Sequence, residues 1–133
     1  MMNSPDKTGA RNMEPRAINL KEKFAQFSDH WSPRKVGMLN DCQITLAKTK
    51  GDFVWHAHED TDEVFLVVAG EMTIQLRDGA VHLQPGEMFV VPRGVEHKPV
   101  CPQECHVLVI DREGTVNTGG EETELTVREY PEI

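Results

Sequence analysis

The residues of this chain with the clearest chemical potential are two histidines, His56 and His58, which follow Gly51. Successive side chains of a strand point to opposite faces, so histidines two positions apart project from the same face. Two neutral imidazoles on one face can bind a borderline metal ion together. Because a His-x-His pair alone is weak evidence, the interpretation needs support from other residues.

A carboxylate follows this pair across a short polar turn. Residues Glu59 to Asp62 form the turn, and Glu63 begins an apolar run that extends to Ala69. Burial of an isolated carboxylate is costly unless a cation or hydrogen bonds compensate, so a metal ion would explain the position of Glu63. Two alternatives stay open at this point. Glu63 can be a solvated strand end, or Asp60 or Asp62 can be the ligand instead.

A third histidine, His97, lies just after a tight turn. The turn is Pro92-Arg93-Gly94, in which Gly94 supplies backbone freedom and Pro92 stops the pairing of the preceding strand. This arrangement delivers His97 at the start of a further segment, as a candidate third imidazole.

Together these residues resemble the two motifs of the cupin superfamily. The first motif has a glycine, a His-x-His pair, a glutamate and a second glycine; the second has a glycine, a Pro-x-Gly turn and a histidine. The matching residues are Gly51, His56, His58, Glu63 and Gly70, followed by Gly86, Pro92, Gly94 and His97. Gly51 lies one residue nearer the first histidine than in the usual motif, and Cys101 stands where the family has an asparagine.

The resemblance implies an all-β fold, the cupin double-stranded β-helix, which is a β-barrel of the jelly-roll type. It also implies a divalent transition metal, with iron, manganese, nickel, zinc and copper as candidates. The ligands carried over to this sequence are His56, His58, Glu63 and His97, and the resemblance favours Glu63 over the two aspartates. Four ligands on an ion that prefers six leave two positions for water, substrate or dioxygen.

This ligand set suggests a small-molecule function. Three neutral imidazoles and one carboxylate leave a divalent ion with a net charge of about +1, which favours an anionic oxygen ligand. Such a centre suits carboxylate, enolate or polyol substrates and does not select among them. We therefore expect a metalloenzyme (an oxygenase, isomerase or lyase), although no separate general base is identifiable and the catalytic residues stay unassigned. The alternative is a non-catalytic, metal-dependent protein that binds a small ligand or a sugar.

The remaining histidines are better explained without a role in the site. His30 and His82 lie in polar surroundings and are predicted at the surface, whereas His106 begins an apolar strand and is predicted as a core histidine rather than a proton shuttle. Five apolar residues of the predicted barrel can line a pocket, but such residues usually form the core. They are Phe53, Phe65, Met72, Met88 and Phe89.

The cysteines do not indicate disulfides. There are three, Cys42, Cys101 and Cys105, without a Cys-x-x-Cys spacing. An odd set of this kind in a cytoplasmic protein is typical of reduced thiols, and we prefer that interpretation to a redox pair of Cys101 with Cys105.

One short helix is predicted before the barrel. Leu20, Phe24, Phe27 and Trp31 recur at the spacing of one helix face. An N-cap at Asn19 and a helix-ending proline, Pro33, bound the segment. Residues 1–16 have little to bury and are predicted to form a flexible leader.

The rest of the chain has the pattern of strands. Alternating or β-branched runs occupy 42–49, 63–69, 72–76, 87–91 and 106–110, and turn residues separate them. Leu125 and Val127, in the acidic tail, could still pair as a last edge strand. Since no helix separates these runs, an antiparallel sandwich or barrel is predicted, in one domain over residues 17–133 with its core motifs at 51–101.

Composition excludes several classes of partner. The chain has 133 residues, 38% of them hydrophobic, and a net charge of -8, which opposes binding to nucleic acid or to anionic membranes. No apolar run is long enough to cross a bilayer, so we expect a cytoplasmic protein. A barrel this small leaves edge strands that benefit from being covered. Because cupins of this size are commonly homodimers, the resemblance implies a homodimer here.

Overall fold

The computed structural model describes residues 15–133, and the fold is mostly β. It contains one helix and seven strands in the described part of the chain. In chain order these are α1 (Leu20–Phe24), β1 (Arg34–Leu39), β2 (Cys42–Asp52), β3 (Glu63–Ala69), β4 (Met72–Leu76), β5 (Gly79–Leu83), β6 (Met88–Val91) and β7 (His97–Arg112). The predicted all-β class with one short N-terminal helix is confirmed. Most of the predicted flexible leader, residues 1–14, lies outside the described residues.

The helix is shorter than the side-chain spacing predicts. The Asn19 side chain caps it by accepting a hydrogen bond from the Glu22 amide at 3.0 Å, as expected. However, the helix ends at Phe24 rather than near Pro33. The backbone of Trp31 is left-handed, with φ 60°, and its amide donates to the Lys48 carbonyl at 2.8 Å. Contacts with β2 therefore override the helical pattern after the first turn.

The long strand β7 organises the sheet. It pairs with β2 along most of its length, with β4 through residues 97–100, and with β3 through residues 106–110. All of these pairings are antiparallel, as the sequence predicts. Only residues 106–110 were predicted as strand in this region, because Pro99 and Pro102 interrupt the apolar pattern of the first half. The two halves join at an irregularity opposite Thr49 and Gly51.

The ends of the chain differ most from the expectation. Strand β1 was not predicted, and no strand forms at Leu125 and Val127. Instead the tail folds back onto β1, where the Lys35 amide donates to the Pro131 carbonyl at 2.8 Å and the Ile133 amide donates to the Lys35 carbonyl at 3.0 Å. The edge of β1 is therefore covered by the last three residues rather than by a regular strand.

The apolar residues form two groups. One fills the interior between the strands and includes Val67, Met72 and Ile74; the other packs Phe24 and Phe27 against Leu46 on the outer side. Within residues 15–133, no helix is long and apolar enough to cross a membrane.

One glycine of the C-terminal segment, residues 113–133 after β7, packs directly on the His-x-His segment, residues 56–58. Gly119 has φ +64°, and a Cβ built there would lie 2.3 Å from the Ala57 carbonyl oxygen. We therefore expect Gly119→Ala to lower the free energy of unfolding by about 2 kcal/mol or more, through backbone strain and displacement of Ala57. Urea denaturation followed by circular dichroism measures this change.

The neighbouring glycine supplies the control. A Cβ at Gly120 would meet no atom within 4 Å, so Gly120→Ala should unfold at nearly the wild-type urea concentration. Equal midpoints for the two variants would contradict the packing of Gly119 on Ala57.

Candidate metal centre

The structure brings together the four side chains that the sequence selects. Each of them can present one ligand atom such that all four atoms lie within 4.8 Å of one another, and all four residues are buried. They are His56, His58, Glu63 and His97. Asp60 and Asp62, the alternatives to Glu63, are exposed, and Asp62 accepts a hydrogen bond from the Arg93 amide at 2.9 Å.

The backbone holds the two histidine segments against each other. His56 and His97 exchange two backbone hydrogen bonds of 3.1 and 2.9 Å, and the Gly94 amide donates to the His58 carbonyl at 2.8 Å. The His-x-His segment is not a regular strand, which corrects the sequence prediction; it makes only an isolated bridge at His56. The two imidazoles are nevertheless buried on the same side, as alternation predicts.

Backbone carbonyls orient two of the imidazoles. The Nδ1 atoms of His56 and His97 lie 2.8 and 3.0 Å from the carbonyl oxygens of Val54 and Val95. A carbonyl oxygen can only accept a hydrogen bond, so each Nδ1 carries the hydrogen and donates it, and each Nε2 keeps its lone pair for the cluster. This is the arrangement by which proteins commonly orient metal-binding histidines.

The third imidazole has an unsatisfied atom. His58 Nε2 is the buried side-chain nitrogen that lacks a hydrogen-bond partner among the described residues, and it lies 3.5 Å from Glu63 Oε1. The same carboxylate oxygen lies 3.2 Å from His97 Nε2. Buried polar atoms without partners are rare and costly, and a cation between these atoms would satisfy them. The residues therefore fit a divalent metal ion.

The electrostatics keep the imidazoles in the form that binds metals. Burial lowers the pKa of His56 to about 3 and that of His58 to about 4, and His97 adds to both shifts. Burial also lowers the pKa of His97 itself. All three side chains are therefore neutral near pH 7, and a neutral imidazole is the metal ligand.

A second buried carboxyl group, that of Asp111, lies beside Glu63. Burial raises the pKa of Glu63 to about 7, and a hydrogen bond from Asp111 opposes this shift. Burial, followed by the charge of Glu63, raises the pKa of Asp111 to about 9, and Gln43 Nε2 donates to Asp111 Oδ1 at 2.8 Å. Sequence reasoning missed Asp111, although alternation along β7 from Val107 through Val109 places it on the inner face.

The other histidines lie away from the cluster. His82 is exposed and bonds to Glu71, as predicted for a surface residue. His30 and His106 bond to the two oxygens of Glu104, at 2.7 and 3.0 Å. His106 also stacks on Phe24, with the ring centroids 4.6 Å apart, so it faces the helix rather than the barrel interior.

The cysteines are reduced thiols, as expected. Cys101 and Cys105 are fully buried, and all three cysteines are free. A hydrogen bond between these two thiols lowers the pKa of Cys101 and raises the pKa of Cys105. Thr49 completes this small buried group, with its Oγ1 atom 3.1 Å from Cys101 Sγ.

A cavity of about 60 Å³ adjoins the cluster, with His56 and Glu63 in its wall. This is room for several water molecules or one small ligand. Of the five apolar residues considered from the sequence, Phe53, Phe65 and Met72 line the cavity, whereas Met88 is 56% exposed. The segments that flank the sheet, before β1 and after β7, also contribute to the wall through Trp31 and Tyr130.

The fold and the buried cluster together define a class: antiparallel β-proteins built around a possible His₃Glu metal centre. Residues 43–111 match the Cupin_2 family, the cupin domain. The chain therefore belongs to this family, and the resemblance to cupins is confirmed.

Similar proteins agree with this assignment. The chain is 33% identical over 89 residues to the uncharacterized protein YdbB of Bacillus subtilis (strain 168), covering 66% of this chain and 73% of YdbB. The crystal structure of a cupin-2 domain containing protein from Shewanella frigidimarina superposes with a TM-score of 0.71 at 50% identity, over 72% of this chain and 94% of that one. The crystal structure of protein NMB1881 from Neisseria meningitidis superposes with a TM-score of 0.68 at 33% identity, over 74% of this chain and 100% of that one. These likenesses confirm the double-stranded β-helix fold.

Asp111 makes the stability of the metal-free protein depend on pH. Its folded pKa is raised from 3.8 to about 9, so above pH 4 the folded state holds a proton that the unfolded state has lost. Stability must then fall as the pH rises towards 9, by up to about 1.4 kcal/mol per pH unit. Between about pH 7.5 and 8 the histidines are neutral in both states and the thiols of the unfolded chain are still mostly protonated, so Asp111 dominates this slope. We expect Asp111→Asn to remove most of this pH dependence of the free energy of unfolding, as measured by urea titrations at several pH values.

A matched aspartate tests the assignment. Asp78 lies exposed in the hairpin turn between β4 and β5, so Asp78→Asn should keep the wild-type slope. An Asp111→Asn variant whose stability still falls steeply over this interval would show that Asp111 does not hold the proton.

Proposed function

We propose that this chain is a metal-dependent protein that acts on a small molecule, with His56, His58, Glu63 and His97 as the metal ligands. The observation that carries the proposal is the unpartnered Nε2 atom of His58, buried beside three other potential ligand atoms. Four buried polar groups without a cation would leave this part of the core poorly satisfied. A bound divalent metal supplies that missing partner.

Catalysis is the favoured form of this function. A bound metal would polarise a chelating substrate as a Lewis acid or, if it is iron, would allow dioxygen chemistry. The protein residues orient the ligand atoms and line the cavity beside them. The Asp111 carboxyl also lies in the cavity wall, next to Glu63. The sequence analysis had identified no such second polar group beside the ligands. An oxygenase, isomerase or lyase uses such a site, and a non-catalytic ligand-binding or sugar-binding protein is the alternative.

Metal analysis of histidine variants tests the ligand set. We expect the wild-type protein, purified without a metal-binding tag, to carry near-stoichiometric transition metal. His56→Ala and His97→Ala should each lose most of it, because each removes one of four ligands. His82→Ala is the control, since His82 is exposed and bonds to Glu71, and it should retain the wild-type metal content. Folded His56→Ala and His97→Ala proteins with full metal content would overturn the assignment.

The identity of the metal separates the reaction classes. Iron whose absorption spectrum differs between air and nitrogen would support an oxygenase. Zinc, nickel or manganese that is insensitive to air would support an isomerase, a lyase or a binding protein. Absence of metal from a folded, metal-supplemented sample would remove the basis of the proposal.

We also propose a homodimer. Strand β6 lies at an edge of the sheet, and its side chains Met88 and Val90 are 56% and 42% exposed. Apolar side chains on an open edge favour pairing with another chain. Light scattering should give a molecular mass of about twice that of one chain. The double variant Met88→Lys/Val90→Lys should have the mass of a single chain. A wild-type monomer would contradict this proposal.

A further inference from the structure

One end of the cavity wall is aromatic. The Trp31 and Phe53 rings are stacked, with their centroids 4.6 Å apart, and Phe53 meets the edge of the His56 ring at 5.2 Å. Phe65 and Met72 also line the cavity. An apolar surface therefore runs from the flanking segment at Trp31 to the metal cluster.

The hydroxyl groups of the threonines in the wall already donate hydrogen bonds within the protein. Thr45 Oγ1 donates to the Val109 carbonyl at 3.3 Å, and Thr49 Oγ1 donates to the Cys105 carbonyl at 3.2 Å. A hydroxyl group has a single proton to donate. Neither threonine can donate a hydrogen bond to a ligand while these contacts last.

The polar groups of the C-terminal segment are engaged in the same way. Tyr130 donates its hydroxyl proton to the Thr115 carbonyl at 2.9 Å. The Asn117 side-chain nitrogen donates to the carbonyls of Trp31 and Leu125, at 3.3 and 2.9 Å. Its side-chain oxygen accepts from the Val127 amide at 2.8 Å. These side chains hold the wall together, and their hydrogen-bond donors are not free to bind a ligand.

The polar groups that remain lie at one end of the cavity. They are the Asp111 carboxyl and the metal-facing atoms of His56 and Glu63. A ligand with many hydroxyl groups could donate hydrogen bonds to the hydroxyl oxygens of Thr45, Thr49 and Tyr130. Its own oxygens, however, would lose the hydrogen bonds that they accept from water and would gain no side-chain donor along the rest of the wall, which is costly. A flat apolar body would lose nothing there and would gain contact with the rings.

We propose that the cavity binds a small ligand with a single oxygen-bearing chelating group and a flat, apolar or aromatic body, and that it discriminates against polyhydroxylated ligands such as sugar acids. This inference rests on the proposed metal site. It narrows the ligand class, because the charge of the centre alone does not select among carboxylates, enolates and polyols.

Three α-hydroxy carboxylates test this preference, because they share the same chelating group. Mandelate carries an aromatic body, gluconate a polyhydroxylated one, and lactate only a methyl group. We would titrate each into cobalt(II)-loaded protein and follow the visible cobalt spectrum and the heat of binding. Mandelate should bind at least about tenfold more tightly than gluconate or lactate. Equal affinities, or tighter binding of gluconate, would overturn the inference.

Two aromatic variants connect the preference to the wall. Trp31→Ala and Phe53→Leu should each weaken mandelate binding by about tenfold while leaving lactate binding and cobalt uptake near the wild-type level. The control is Trp55→Ala, because Trp55 lies outside the cavity wall, with the Arg77 guanidinium 3.8 Å above its ring, and it should keep the mandelate preference. Equal losses for mandelate and lactate would contradict recognition of the aromatic body.

The cobalt spectrum separates the two proposals. If the wild-type protein takes up no cobalt, the proposed metal function fails. If it takes up cobalt and the ligands bind without preference for the aromatic body, the metal site stands and the inference about ligand class is wrong.

Discussion

The cost of burying Glu63 is the constraint on which the rest of this structure depends. Glu63 is 5% exposed, and its carboxyl lies beside the neutral imidazoles of His58 and His97 and the carboxyl of Asp111. A protein can retain such a group only if its partners are placed accurately. That accuracy comes from the hydrogen bonds that the His56 and His97 imidazoles donate to the carbonyls of Val54 and Val95, and from the paired backbones of His56 and His97.

Strand β7 fixes the dimensions of the site. It begins at His97 and reaches Asp111 just before its end, so one continuous strand carries a metal-ligand candidate and the second buried carboxyl. Between them, Val107 and Val109 face the same cavity. Because β7 pairs with β2, β3 and β4, a shift of this strand would move the metal cluster and the cavity wall together.

The sequence could predict residues whose chemistry depends on local spacing. The resemblance to the two cupin motifs, which are defined by local spacing, implies His56, His58, Glu63 and His97, and the structure brings these four residues together. Features that depend on contacts between distant segments were wrong or missed. The helix stops early because Trp31 bonds to β2, and the tail bonds to Lys35 instead of forming a strand at Leu125. Asp111 was missed because a carboxylate after an apolar strand is usually a solvated strand end.

The cavity wall combines segments that lie on both sides of the region that defines the family. The metal-ligand candidates all fall within residues 43–111, whereas Trp31, Pro33, Asn117 and Tyr130 reach the cavity from outside it. Mutation of the two flanking segments can therefore change the shape of the cavity while the ligand set stays intact. Selection can diversify ligand preference among descendants of one barrel through these flanks, without passing through intermediates that have lost the metal centre.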